Sequence, residues 1–237
     1  MYRQSGFFPG LFSVAILVGA CFLILPATVH AGNCGAYPSA KVDWSGCIKK
    51  NLMMSGNDFK GADLSEADFS LTDLRNNNFS GANLSKARFI RAWFTGSVAD
   101  GADFSRAEGY RAGLQSISAK GAKFESAELQ RANFGGSNLA GANFEKAELG
   151  RTTYDKADIT DVDFTLANLS RADLSKATFT KAPRFEKAFM FLTRIEGLDL
   201  SGAAGLDQSQ VDLACGDKTT KLPPGLNAPA DWPCAED

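Results

Sequence analysis

From Leu52 to Lys181 the chain repeats one choice every five residues, and no other property restricts its fold as much. A large apolar residue recurs at Met54, Phe59, Leu64, Phe69, Leu74 and onward to Phe179. Two residues before it stands a small one, most often alanine, as at Ala62, Ala82, Ala102 and Ala142, and the residue between is commonly Asp or Asn. On an α-helix five residues advance about 140°, which scatters the large residues around the cylinder. On a flat strand successive ones fall on opposite faces, because side chains alternate with period two. A chain that turns a corner in every unit and winds around its own large residues buries all of them together, as a solenoid does.

A second, slower period counts the units per turn. Gly61, Gly81, Gly101, Gly121 and Gly141 are evenly spaced four units apart, and so are Arg91, Arg111, Arg131, Arg151 and Arg171, and Glu108, Glu128 and Glu148. Four units per turn predict a four-sided coil in which each side stacks its own chemistry. Coils stacked at the β-strand separation of about 4.8 Å would place successive members of a column that far apart.

The units Gly61-Ala62-Asp63-Leu64-Ser65, Gly81-Ala82-Asn83-Leu84-Ser85 and Arg171-Ala172-Asp173-Leu174-Ser175 resemble the signature of pentapeptide repeat proteins. The resemblance implies an all-β fold, a right-handed quadrilateral β-helix with the large residue and the small one before it pointing inward. About seven coils are expected over residues 52–202. Fold alone fixes no activity. The best-known functional branch of that family, DNA mimics acting on type II topoisomerase, supplies an alternative role, but it relies on an acidic surface in the cytoplasm.

Residues 1–31 read as a segment outside the rod. Arg3 precedes an apolar run from Leu11 to Leu25, and Val29-His30-Ala31 offers a small-residue cleavage site, the layout of a secretory signal peptide. Two alternatives stay open: a retained anchor, for which the run is shorter than the roughly 20 residues a span requires, and a lipid anchor at Cys21. Cleavage would leave 24 basic against 27 acidic residues and remove His30, the only histidine. Without imidazole most familiar hydrolytic triads and zinc sites are excluded. The near-neutral balance gives no general reason to bind nucleic acid. No motif points to catalytic, cofactor or metal residues, so neither an enzyme nor a cofactor is expected.

Four cysteines then remain, Cys34, Cys47, Cys215 and Cys234, and an even count in an exported chain reads as two disulfides. A rod keeps its ends apart, so Cys34 with Cys47 and Cys215 with Cys234 is the expected pairing. Residues 32–51 would form an N-terminal cap with Trp44 as its lid. Residues 203–237 would form a C-terminal cap, with a short helix from Gln208 to Ala214 opened by an Asp207–Gln210 capping box. The repeat slips by one residue near 182–184, at Pro183. After the slip Phe189 and Phe191 fall on outward positions, and a lid formed by the C-terminal cap is expected over them, a homodimer through the C-terminal coil being the alternative. The chain would thus be a monomer or a homodimer.

The arginine column is the most evident outward feature. Glu108, Glu128 and Glu148 precede Arg111, Arg131 and Arg151 by three residues, so an interleaved ladder of ion pairs is expected there, rather than an anion site. Ala99, Gly109 and Ala119 stand where large residues are usual and predict a locally repacked core. The function expected is that of an exported, non-enzymatic scaffold or protein-binding module, in the bacterial periplasm or outside the cell. Its candidate interaction surface comprises Arg91, Arg111, Arg131, Arg151, Arg171, Phe189 and Phe191, its partner being an unidentified protein.

Overall fold

The computed structural model describes residues 32–234, together with residues 1, 2 and 6. The apolar run from Leu11 to Leu25, the cleavage site at Val29-His30-Ala31 and Cys21 lie outside the described residues. Among the described residues no helix is long and apolar enough to cross a membrane.

The chain forms a four-sided coil joined by parallel bridges between residues 20 apart, from Asp43↔Asp63 to Asp158↔Thr178. The residue before each large one makes the bridge. Face 1 carries the bridge column of Asp63, Asn83 and Asp103, face 2 that of Asp68, Arg88 and Glu108, face 3 that of Asp73, Trp93 and Gly113, and face 4 that of Asn78, Val98 and Ser118. The coil begins ten residues before the expected start. Val42, Trp44 and Cys47 already occupy buried inward positions, so residues 42–51 belong to the coil and not to a separate cap. Trp44 is accordingly the first rung of the core, its ring 5.4 Å from that of Phe59, and not a lid. The cover over it comes from Lys49, which takes a large-residue position, places Nζ 3.8 Å from the Trp44 ring and donates to the carbonyl of Cys34 at 2.7 Å.

The Asp or Asn between the small and large residues has a structural task. Its side-chain oxygen accepts from the backbone N–H two residues on, as Asp63 does from Ser65 at 3.1 Å, Asn83 from Ser85 at 3.1 Å and Asp173 from Ser175 at 3.0 Å. Such a short side chain closes the corner with a turn mimic, which Ala or Leu cannot supply. After the corner the backbone enters the left-handed region, at Gly101 with φ +65° on one edge and at Arg111 with φ +57° on another.

Inside, aromatic rings stack at the coil spacing. Phe104, Phe124 and Phe144 lie 4.8 and 4.6 Å apart, within 7° of parallel. Where face 4 thins at Ala99 and Ala119, rings from the other sides fill the volume: Phe94 lies 5.3 Å from Phe79, 5.2 Å from Phe89 and 6.2 Å from Phe104. Gly109 is filled in the same way, since a Cβ there would run into Phe89 and Leu129 of the adjacent coils on face 2. Small polar residues at some inward positions ladder the backbone. Asn77 accepts from the N–H of Asn57 at 2.6 Å and donates to the carbonyl of Met54 at 2.8 Å.

Beyond Asp158↔Thr178 the bridges join residues 21 apart, from Asp163↔Arg184 to Asp173↔Arg194, so one residue is inserted beside the buried Pro183. Among the described residues a single helix, α1, spans Gln208–Val211, shorter than expected because the chain leaves it at Asp212 to bring Cys215 into a bridge with Arg194. The Asp207–Gln210 capping box is present. Disulfides join Cys34 to Cys47 and Cys215 to Cys234, with Cα atoms 5.5 and 5.3 Å apart.

The filled space at Gly109 has a measurable consequence. Gly109→Leu is expected to destabilise the fold by about 1–3 kcal/mol, the usual cost of overpacking, read as a shift in the urea midpoint. Asn77→Ala, which strands the backbone N–H of Asn57, is expected to cost about 1–3 kcal/mol by the same measurement.

Candidate functional site

Face 2 carries the outward residues that the core does not require. Its bridge column runs Asp68, Arg88, Glu108, Glu128, Glu148, Asn168 and Phe189. The edge it shares with face 3 carries Arg91, Arg111, Arg131, Arg151 and Arg171, whose N–H groups donate to Tyr110, Gln130, Gly150, Ser170 and Phe191 of the following coil at 2.8–3.0 Å. The arginines and both phenylalanines therefore share one strip. Leu192 continues the arginine column, and its N–H donates to Leu213 at 2.7 Å.

The expected arginine–glutamate ladder does not form. Among the described residues no ion pair joins Arg91, Arg111, Arg131 or Arg151 to Glu108, Glu128 or Glu148. The glutamates stand on the flat of the face while the arginines stand at its left-handed corner, with the buried large residue and an uncharged column between. The ion pairs run instead along the bridge column, where Arg88 meets Glu108 at 3.0 Å and Asp68 at 3.6 Å. Asn168 donates to Glu148 at 2.8 Å.

The expected lid is also absent from Phe189 and Phe191. They are 50% and 42% exposed, with nearly parallel rings 6.4 Å apart, and Leu213 beside them is 39% exposed. The C-terminal cap covers the open end of the last coil instead, because the carbonyls there need donors. The Gln210 amide donates to Phe185 at 2.7 Å and to Ala188 at 2.9 Å, and the Trp232 indole to Ala214 at 2.7 Å. Phe189 and Phe191 flank the inward Met190 on the flat of the face, out of the cap's reach.

Sequence reasoning overlooked Trp93 and Tyr110. Trp93 is 48% exposed, and its indole lies over Gly113 of the next coil, 3.2 Å from where a Cβ would stand. Tyr110 is 37% exposed, with the Arg111 guanidinium 5.3 Å from its ring. Their signal was available: each replaces a small or polar residue at an outward position of the repeat. A cleft of about 320 Å³ near Trp93 is lined by Met53, Asp73 and Arg75, and Arg75 holds Asp73 at 2.6 and 2.8 Å. That pair keeps the Asp73 carboxyl below its usual range, which suits an anion and not a general base.

The model of pentapeptide repeats matches residues 54–89, 120–153 and 155–190, with eight copies of the repeat. The chain belongs to the pentapeptide repeat family. Members of this family form right-handed quadrilateral β-helices, the fold seen here. HetL, a pentapeptide repeat protein involved in heterocyst differentiation regulation in the cyanobacterium Nostoc sp. strain PCC 7120, is 24% identical over 73% of this chain and 84% of its own, with a TM-score of 0.58. A pentapeptide repeat protein from the Arabidopsis thaliana thylakoid lumen is 30% identical over 51% of this chain and 70% of its own, with a TM-score of 0.37. The plasmid-mediated fluoroquinolone resistance protein QnrB1 is 22% identical over 79% and 87%, with a TM-score of 0.35. Among curated proteins none matches the chain.

The cap of this pentapeptide repeat protein is held by carboxylates. The Asp217 carboxyl is lowered to about 2, chiefly by the Thr219 hydroxyl, and that of Asp199 to about 2, chiefly by Lys221. A carboxyl lowered in the fold contributes stability above its unfolded pKa of about 3.9, and the contribution is lost as pH falls through the folded value. The protection factors of the Gly197 and Thr219 amides, which donate to Asp217, are therefore expected to fall between about pH 4 and pH 2, before those of the central coils.

Proposed function

We propose that this chain is an exported, non-enzymatic binding module that docks a protein partner at the C-terminal end of face 2. The observation that carries the reading is the stacked, exposed pair Phe189 and Phe191 with Leu213 alongside. Clustered aromatics left in water on a rigid surface mark an interaction site more often than chance. The scaffold beneath is fixed by hydrogen bonds on every coil, so docking requires no folding of the surface. Two disulfides support a non-reducing compartment. Residues 32–237 contain no histidine, and the lowered carboxyls described above pair with cations or turn hydroxyls, which supports binding over acid–base chemistry.

The alternative, a topoisomerase-directed DNA mimic, finds less support, because a column of arginines on the edge between faces 2 and 3 runs beside the face 2 glutamates, where a mimic needs an uninterrupted acidic surface. Added to a gyrase supercoiling assay, the protein is expected to leave the rate unchanged.

Two measurements in the producing cell test the main reading. Fractionation is expected to find the chain outside the cytoplasm. A photo-crosslinker replacing Phe191 is expected to capture a defined protein, the adduct disappearing in Phe189→Asp. The same crosslinker at Lys120, on the opposite face 4, should give none. Cytoplasmic retention would overturn export, and matching adducts from both positions would overturn the docking site.

A further inference from the structure

The corner between faces 2 and 3 is built unlike the others on this rod. Arg91, Arg111, Arg131 and Arg151 stand on successive coils, all exposed, at φ values of +55° to +61°. With coils about 4.8 Å apart, the four span roughly 14 Å in a straight line. The same left-handed backbone on the edge between faces 4 and 1 is occupied by Gly81, Gly101, Gly121 and Gly141. The conformation therefore accepts glycine readily and does not call for arginine.

No carboxylate directly adjoins this ridge. On the face 2 side the adjoining outward column is Ile90, Tyr110, Gln130 and Gly150, and on the face 3 side it is Trp93, Gly113, Asn133 and Thr153. Neither column contains a carboxylate over these four coils. The nearest acids stand one column further out, Glu108, Glu128 and Glu148 on face 2 and Asp155, 4.0 Å from Lys176, on face 3, while Asp73 is held by Arg75 and Asp173 accepts from the N–H and hydroxyl of Ser175. Four like charges at this spacing repel one another, and each lacks an ion-pair partner within 4 Å among the described residues. An external anion with regularly spaced charges would relieve that repulsion by counterion release and bidentate contacts.

The flanks indicate which anion. Trp93 and Tyr110 stand on either side of the first two arginines, both partly exposed, and offer flat apolar surfaces. Further along, Gln130, Asn133 and Thr153 offer amides and a hydroxyl. Rings above, hydroxyl partners below and one cation per coil match a linear acidic polysaccharide, whose sugars present one carboxylate each, apolar ring faces and free hydroxyls. Duplex DNA fits less well, since its phosphates follow a helical path at 3.4 Å per strand, whereas the ridge is straight and uses the wider coil spacing.

We infer that the Arg91–Arg151 ridge binds a linear, carboxylate-bearing polysaccharide, with Trp93 and Tyr110 packing against its sugar rings. This site is separate from the aromatic docking surface at Phe189 and Phe191, and either can fail without the other. Polygalacturonate oligomers serve as the probe, titrated into the full chain by calorimetry, with heparin and a single-stranded oligonucleotide of equal charge for comparison. Binding is expected for oligomers of four or more sugars, to weaken with salt and to be weak for the dimer. Arg111→Gly with Arg131→Gly keeps the left-handed corner, so the melting temperature should hold while affinity falls about tenfold or more. Trp93→Ala should weaken polygalacturonate binding more than heparin binding. Absence of binding, or binding indifferent to the double glycine variant, overturns the site. Tighter binding of the oligonucleotide than of polygalacturonate overturns the assignment to a polysaccharide.

Discussion

Every coil of this protein is held to the next by backbone hydrogen bonds between residues one turn apart, and the rest of the structure depends on that pairing. The donors are laid out in register, for example Phe104 to the Lys123 carbonyl at 2.7 Å and Phe124 to the Asn143 carbonyl at 2.7 Å. Pairing fixes the rise, and the rise puts identical positions directly above one another. Aromatic rings then stack face to face in the interior, and charges of one sign stack on the exterior. The first arrangement stabilises the rod. The second must be tolerated or used.

The sequence pattern reaches the interior and the caps' covalent bonds most directly. A five-residue period with small and large inward residues admits few backbones, and cysteines confined to the two ends pair locally. What it reaches poorly is the direction of outward side chains. Glu128 and Arg131 are three residues apart, which suggested contact, yet one stands on a flat face and the other at a left-handed corner. Sequence distance does not encode that divergence. The cap shows a related gap: Phe189 and Phe191 were expected to be covered because they are apolar, but the cap answers to the carbonyls of Phe185 and Ala188 at the open end of the coil. Backbone demand outranked side-chain burial there, and hydropathy carries no trace of it.

Local departures from the repeat divide into two kinds. Inward ones, such as Gly109 and Ala119, are matched by larger neighbours on adjoining coils and concern packing. Outward ones, such as Tyr110, Arg91, Arg111, Arg131 and Arg151, are matched by no change in the core. This division separates residues that the fold requires from residues it merely carries, and the second group gathers at the edges of face 2.

A stack of identical coils has no built-in length. Any coil whose edge is left open presents the same row of donors and acceptors, at the same spacing, as the coil that would continue it, so one rod's end is a template for another's. The Cys34–Cys47 loop with Lys49, and α1 with the tail tied at Cys215–Cys234, therefore do more than cover apolar ends. They occupy the edges on which a further coil, or the end of another rod, would otherwise pair.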